Sequence, residues 1–133
     1  MAGISFSKNN LLSLIEHHIA LLERFGLKDE APFSIVYFSL NTKSKDDITQ
    51  IFKKILRKTD AVFSENDDFI IMLPGTDWNG ATELLSGIQE FLSQEPHDNI
   101  VTFPDDGENA LSLLQKLEKN IEDFTKKEIS LIS

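Results

Sequence analysis

Two neighbouring carboxylates, Asp67 and Asp68, stand in the stretch SENDDFIIMLPGTD, residues 64–77, between two apolar runs. Adjacent acids in a polar turn can hold a hard divalent cation. The alternative is a pair of solvated turn acids, the ordinary condition of surface carboxylates. Upstream, RKTD brings Arg57 and Asp60 onto one short segment. A guanidinium and a carboxylate so placed can together meet a ligand that carries both acceptors and donors. The alternative leaves Arg57 and Lys58 closing a helix, where cations suit the dipole, with Asp60 opening the next connection. Trp78, in GTDWNGA, stands exposed near a helix start. It is either a partner contact, since tryptophan is over-represented at interface hot spots, or a helix-packing residue.

Other chemistries lack their residues. The chain has no cysteine, which excludes disulfides, zinc-thiolate sites and thiol nucleophiles. His17 and His18 are adjacent, so on a helix they point in different directions and cannot chelate one ion together. His18 falls on an apolar helix face as a packed or interface histidine, and His97 stands apart in QEPHDN. No metal site or cofactor is expected from this set. No Gly-x-Ser-x-Gly elbow anchors a hydrolase triad.

The elements that must position these residues follow from periodicity. Ser7 opens a helix whose apolar face is Leu11, Ile15, His18, Leu22 and Phe25, and Gly26 stops it. FSIVYFSL, 33–40, is a β-branched and aromatic run that fits a strand buried on both faces. Ile48, Ile51, Phe52, Ile55 and Leu56 mark a second helix. AVF and FIIMLP form a hairpin across SENDD, and Pro74 with Gly75 closes it. Thr76 or Asp77 caps a third helix carrying Ala81, Leu84, Leu85, Ile88, Phe91 and Leu92. NIVTF is a short strand, and PDDGENA turns the chain into a fourth helix with Ala110, Leu113, Leu114, Leu117, Ile121 and Phe124. EISLIS at the end is an expected edge strand. This order predicts an α/β (α+β) domain: a split βαββαβ, ferredoxin-like sheet with helices packed on it, plus an N-terminal helix. A single domain over 1–133 is expected, with 1–30 the leading helix and connection and 31–133 the core. The first helix, with leucines at 11, 12, 14, 21 and 22, is also a candidate dimer seam.

Bulk charge narrows the partners. With 13 basic and 22 acidic residues the net charge is 13 − 22 = −9. That disfavours nucleic-acid backbones, whose binding draws on clustered Lys and Arg, and equally disfavours anionic membrane surfaces. No apolar run has the length of a membrane span, and MAGISFSKNN lacks the features of a secretion signal. The cytoplasm is the expected location.

From DAVFSENDD through the following helix, the chain resembles a GGDEF domain, the diguanylate cyclase family, with Glu65, Asn66, Asp67, Asp68 and Phe69 at the five signature positions. VTFPDDGENALSLLQKLEKNI, 101–121, is similar to the family's closing strand, Pro-x-Asp-Gly turn and helix, and residues 9–40 to its leading helix and first strand. The resemblance implies a nucleotide-cyclase-like sheet, and the departures imply a degenerate, truncated member. The family's cyclases bind GTP and two divalent metals through acids at the end of the first strand and in the signature. Here Ser39 and Asn41 stand where aspartates are implied, and Glu65 and Asn66 replace glycines that let the backbone approach phosphates. The stretch that holds guanine and phosphates after the first strand is missing. Arg57 and Asp60 match the family's Arg-x-x-Asp product-inhibition site for cyclic di-GMP, with the spacing to Phe69 one residue short. The resemblance therefore implies a non-catalytic signalling or interaction module with a protein partner. The alternatives are a cyclic di-GMP receptor using Arg57 and Asp60, or a residual nucleotide-handling enzyme.

Overall fold

Residues 33–39 alternate between two buried surfaces, and the rest of the molecule is arranged about them. The computed structural model describes residues 4–39, 45–65, 68–92, 99–125 and 131. Its elements are β1 (Ile4–Ser7), a 3-10 turn (Lys8–Asn10), α1 (Leu11–Arg24), β2 (Phe33–Ser39), α2 (Lys45–Ile55), β3 (Ala61–Glu65), β4 (Asp68–Pro74), α3 (Trp78–Leu92), β5 (Asn99–Phe103) and α4 (Ala110–Thr125). One sheet runs in the order β1-β3-β4-β2-β5. β2 is antiparallel to β4 on one side and to β5 on the other, and β3 is antiparallel to β4. These four strands with α2 and α3 make the expected split βαββαβ core. The fifth strand, β1, pairs parallel with β3 at the edge.

Both faces of the sheet are covered. Phe33, Ile35 and Tyr37 point into a layer with α1 and α4, where Leu11, Ile15, Ile19, Leu22, Leu113, Leu114, Leu117 and Ile121 are buried. Val36 and Phe38 point the other way, into a layer with Ile51 and Leu56 from α2 and its exit, and Ala81, Leu85 and Ile88 from α3. This is why β2 reads as a continuous apolar run rather than an alternating one. Phe33 stacks on Phe103 with ring centroids 4.9 Å apart, and His18 meets the Phe33 ring edge-on at 5.0 Å. Such ring pairs add about 0.5–1.5 kcal/mol beyond the area they bury.

The termini of the elements have identifiable causes. α1 ends because Gly26 takes φ 67°, and its N–H donates to the Glu23 carbonyl (3.2 Å) while Leu27 N–H donates to the Leu22 carbonyl (2.8 Å). That pair of bonds satisfies two carbonyls the helix end would otherwise leave open. β4 ends at Gly75, with φ 71°, and Asp77 caps α3 by accepting from Gly80 N–H at 2.9 Å. After β5, the Asp106 carboxylate accepts from Thr102 N–H at 2.8 Å, and Asp106 N–H donates to the Thr102 carbonyl at 2.8 Å. Both polar groups of Thr102 are thereby occupied by the turn, which blunts that edge of the sheet. Lys116 on α4 pairs with the same carboxylate.

The leading segment differs from its sequence reading in three ways. Ser7 ends β1 rather than opening a helix, and α1 begins at Leu11. The four residues of β1 are too short a run to announce themselves by periodicity, and they are held by pairing with β3. The buried face of α1 is Leu11, Ile15, Ile19 and Leu22; Ile19 takes the place assigned to Phe25, which is 65% exposed, and His18 is only half-buried. At the other end, Leu131 is buried in the α1/α4 layer and donates its N–H to Glu118 Oε2 at 2.9 Å. The rest of the expected edge strand EISLIS lies outside the described residues, as do the side chains of Ile48, Phe91, Leu92 and Phe124.

Burial of His18, assisted by the neighbouring His17 charge, lowers its pKa below the ordinary 6.5. Above that value both folded and unfolded chains hold a neutral ring. Below it the unfolded chain takes up the proton first, so the His18 contribution to stability is lost as pH falls. Melting temperature measured from neutral pH downward should drop more steeply in the native chain than in His18→Gln, with the two profiles diverging below about pH 6.5.

Candidate functional site

The two groups of residues singled out by their chemistry lie at opposite ends of β2. At the end where β2 finishes, Ser39 stands directly across the ladder from Asp68, the first residue of β4. Asp68 in turn pairs with Glu65, the last residue of β3, and in sequence Asn66 and Asp67 stand between them. Those two residues, the Glu65 side chain and Asn41 lie outside the described residues. The strands therefore run further into the signature than the sequence reading assumed, and Glu65 and Asp68 belong to the ladder rather than to a loose turn.

Asp68 is engaged by the core. The Tyr37 hydroxyl donates to Asp68 Oδ1 at 2.7 Å, and the Tyr37 residue is fully buried. A hydrogen bond to a charged acceptor contributes about 1.5–3 kcal/mol. Phe69 points to the opposite face. It stacks on Phe38 at 5.5 Å and meets Phe52 of α2 at 5.8 Å, so this signature-equivalent residue fastens the hairpin to the α2 layer. Of the two described signature-equivalent side chains, one anchors to a core tyrosine and the other packs in the core.

At the end where β2 begins, Arg57 and Asp60 are brought together. Asp60 is only 2% exposed. Its Oδ1 accepts from Arg57 Nη2 at 2.9 Å and its Oδ2 from Arg57 backbone N–H at 2.7 Å, with Nε at 3.5 Å. Arg57 Nη2 also donates to the Pro74 carbonyl (2.8 Å) and to Thr76 Oγ1 (2.9 Å). The pair thus ties the exit of α2 to the turn between β4 and α3. Ser34 continues the connection, donating its hydroxyl to the Thr76 carbonyl at 2.8 Å and sharing a 3.0 Å hydrogen bond with Thr102 on β5. The guanidinium and carboxylate edges that would read a base are occupied by each other and by this turn, while the Arg57 side chain stays 54% exposed.

Trp78 is the first residue of α3 and is 54% exposed, as its sequence position suggested. His17 is exposed and His18 turns inward, and His97 lies outside the described residues. The sequence reading missed the Tyr37–Asp68 bond and the Ser34–Thr102–Thr76 network. The signal available was the presence of single hydroxyls in an apolar run, but their partners become visible only with the strand register. Among the described residues no helix is long and apolar enough to cross a membrane.

No family model matches the sequence, and no curated protein matches it either. Among solved structures, the chain is similar to the crystal structure of a DGC (diguanylate cyclase) protein from Thermotoga maritima. The match has a TM-score of 0.62 and 16% identity, and covers 87% of this chain and 95% of that chain. At that identity the likeness speaks for the fold, a diguanylate-cyclase-like α/β arrangement.

Removing the buried Asp60 carboxylate takes away the acceptor of the Arg57 backbone N–H and of its half-exposed guanidinium. Asp60→Ala should destabilise the chain by about 1–3 kcal/mol, read as a lower urea midpoint with an unchanged slope.

Proposed function

We propose that the chain is a non-catalytic signalling and interaction module built on a diguanylate-cyclase-like fold, acting through a protein partner. The observation that carries this reading is the pairing of Asp68 with Ser39 at the end of β2, with Asp68 Oδ1 bound by the Tyr37 hydroxyl. Phosphoryl transfer to a nucleotide needs cations that neutralise charge on the phosphates, and those cations need converging carboxylates. Here the Asp68 carboxylate is tied to a tyrosine; its neighbour on β3 is Glu65, but its neighbour on β2, Ser39, is a neutral hydroxyl residue, whose oxygen holds a hard cation weakly. In the sequence, Asn41 follows in the same sense, and Glu65 and Asn66 occupy positions that are glycine in the signature the chain resembles. Incubation with GTP and magnesium or manganese should release no pyrophosphate. Turnover above the no-enzyme rate, lost in Asp68→Asn, would overturn the reading.

A second reading, a cyclic di-GMP receptor, is favoured by one observation: Arg57 and Asp60 do meet, and the guanidinium keeps an exposed side. A guanine entering there must replace the bonds to Pro74, Thr76 or Asp60 with bonds of its own. A ligand at a hundred times its dissociation constant stabilises a fold by about 2.7 kcal/mol, a readily measured melting shift. On the leading reading cyclic di-GMP leaves the melting temperature unchanged. A rise that Arg57→Ala abolishes would establish the receptor instead. Self-association through α1 would rely on Leu21 and Phe25, because Leu11 and Leu22 are buried and Leu12 and Leu14 pack against the core.

A further inference from the structure

The chain's acidity is unevenly distributed. KKILRK, 53–58, places Lys53, Lys54, Arg57 and Lys58 together, and all four are exposed. Setting those four aside leaves 13 − 4 = 9 basic residues against 22 acidic, or −13 on the remainder. Cations in the last turn of a helix offset its dipole, which accounts for Lys53 and Lys54 taken alone. It does not account for Arg57 and Lys58, which lie beyond the end of α2. Arg57 is held against the β4–α3 turn by its bonds to the Pro74 carbonyl and Thr76 Oγ1.

That contact brings the cations to an exposed aromatic. Trp78 follows Thr76 by two residues, so its Cα lies within about 7 Å of Thr76 Cα by the reach of the chain. Beside these four cations lie two described carboxylates: Asp60, buried, compensates Arg57, and Asp77, exposed, caps α3, so the cations outnumber them. An exposed tryptophan leaves a large apolar side chain unburied, and tryptophan is a frequent anchor of protein interfaces.

We propose that Lys53, Lys54, Arg57, Lys58 and Trp78 form a docking surface for an acidic polypeptide segment carrying an apolar side chain that covers Trp78. The inference rests on the interaction-module reading and gives the partner its chemical class. The charge distribution favours a short acidic segment over nucleic acid or an anionic membrane. A local ligand feels the positive patch within a Debye length of about 8–10 Å, whereas an extended polyanion also meets the acidic remainder.

Trp78 is the protein's one tryptophan, so its emission reports this surface directly. The test titrates the full chain with a labelled peptide of alternating Glu and Leu, following tryptophan emission and peptide anisotropy. Saturable binding that shifts the emission and weakens with added salt is expected. The triple variant Lys53→Gln/Lys54→Gln/Lys58→Gln should bind about tenfold more weakly, with its melting temperature unchanged. Trp78→Phe, followed by anisotropy alone, should retain most of the affinity and Trp78→Ala should lose it. The proposal is overturned if the emission does not move, if the triple variant binds equally well, or if phosphatidylserine vesicles or a single-stranded oligonucleotide bind and the peptide does not. GTP turnover in the same preparation would instead sink the non-catalytic reading and leave the peptide result standing on its own.

Discussion

Burial of β2 on both faces, together with pairing on both of its edges, is the constraint from which the rest of the structure follows. A strand in that position must be apolar throughout, and its few polar atoms must find partners inside the protein. Ser34 finds Thr102 and the Thr76 carbonyl, and Tyr37 finds Asp68. The Thr76 carbonyl belongs to the β4–α3 turn and Asp68 to the hairpin, both elements that the candidate sites use, while Thr102 ties in β5. The same strand that holds the two layers together therefore sets the geometry of both ends of the molecule.

This coupling gives the residues at the strand ends structural roles of their own. Asp68 contributes a core-anchored hydrogen bond, and Phe69 packs between Phe38 and Phe52. Neither role needs a bound ion. Strand pairing needs neither glycine nor a second aspartate at the strand ends: Ser39 and Glu65 both stand in register with Asp68. Arg57 and Asp60 show the same economy. A buried carboxylate with a forked guanidinium closes the α2–β3 connection, whatever else the exposed side of Arg57 meets.

The two ends of β2 receive different elements. The hairpin end gathers Glu65, Asp67 and Asp68 within four residues of sequence. The other end receives the exit of α2 with its four cations, because a parallel return from β2 to β3 must bring the chain back to the end where both strands begin. Trp78 lies at that same end because β4 finishes opposite the start of β2, with Pro74 paired to Phe33. The co-location of cations and tryptophan is thus a consequence of topology.

Side-chain periodicity is a local property, and what depends on it was legible from the chain alone. That covers the four helices, the apolar central strand, the hairpin, the split βαββαβ order, the Gly26 stop and the Asp77 cap. Strand pairing is not local, and what depends on it had to come from the folded structure. A four-residue edge strand at the N-terminus carries no period of its own and exists through β3. The inward rotation of α1 onto Ile19 rather than Phe25 is chosen by the sheet it packs on. Above all, a motif gives residue types while register gives partners: the sequence names Asp68, Ser39, Arg57 and Asp60, and only the ladder shows that the first two face each other and that the last two are already bonded.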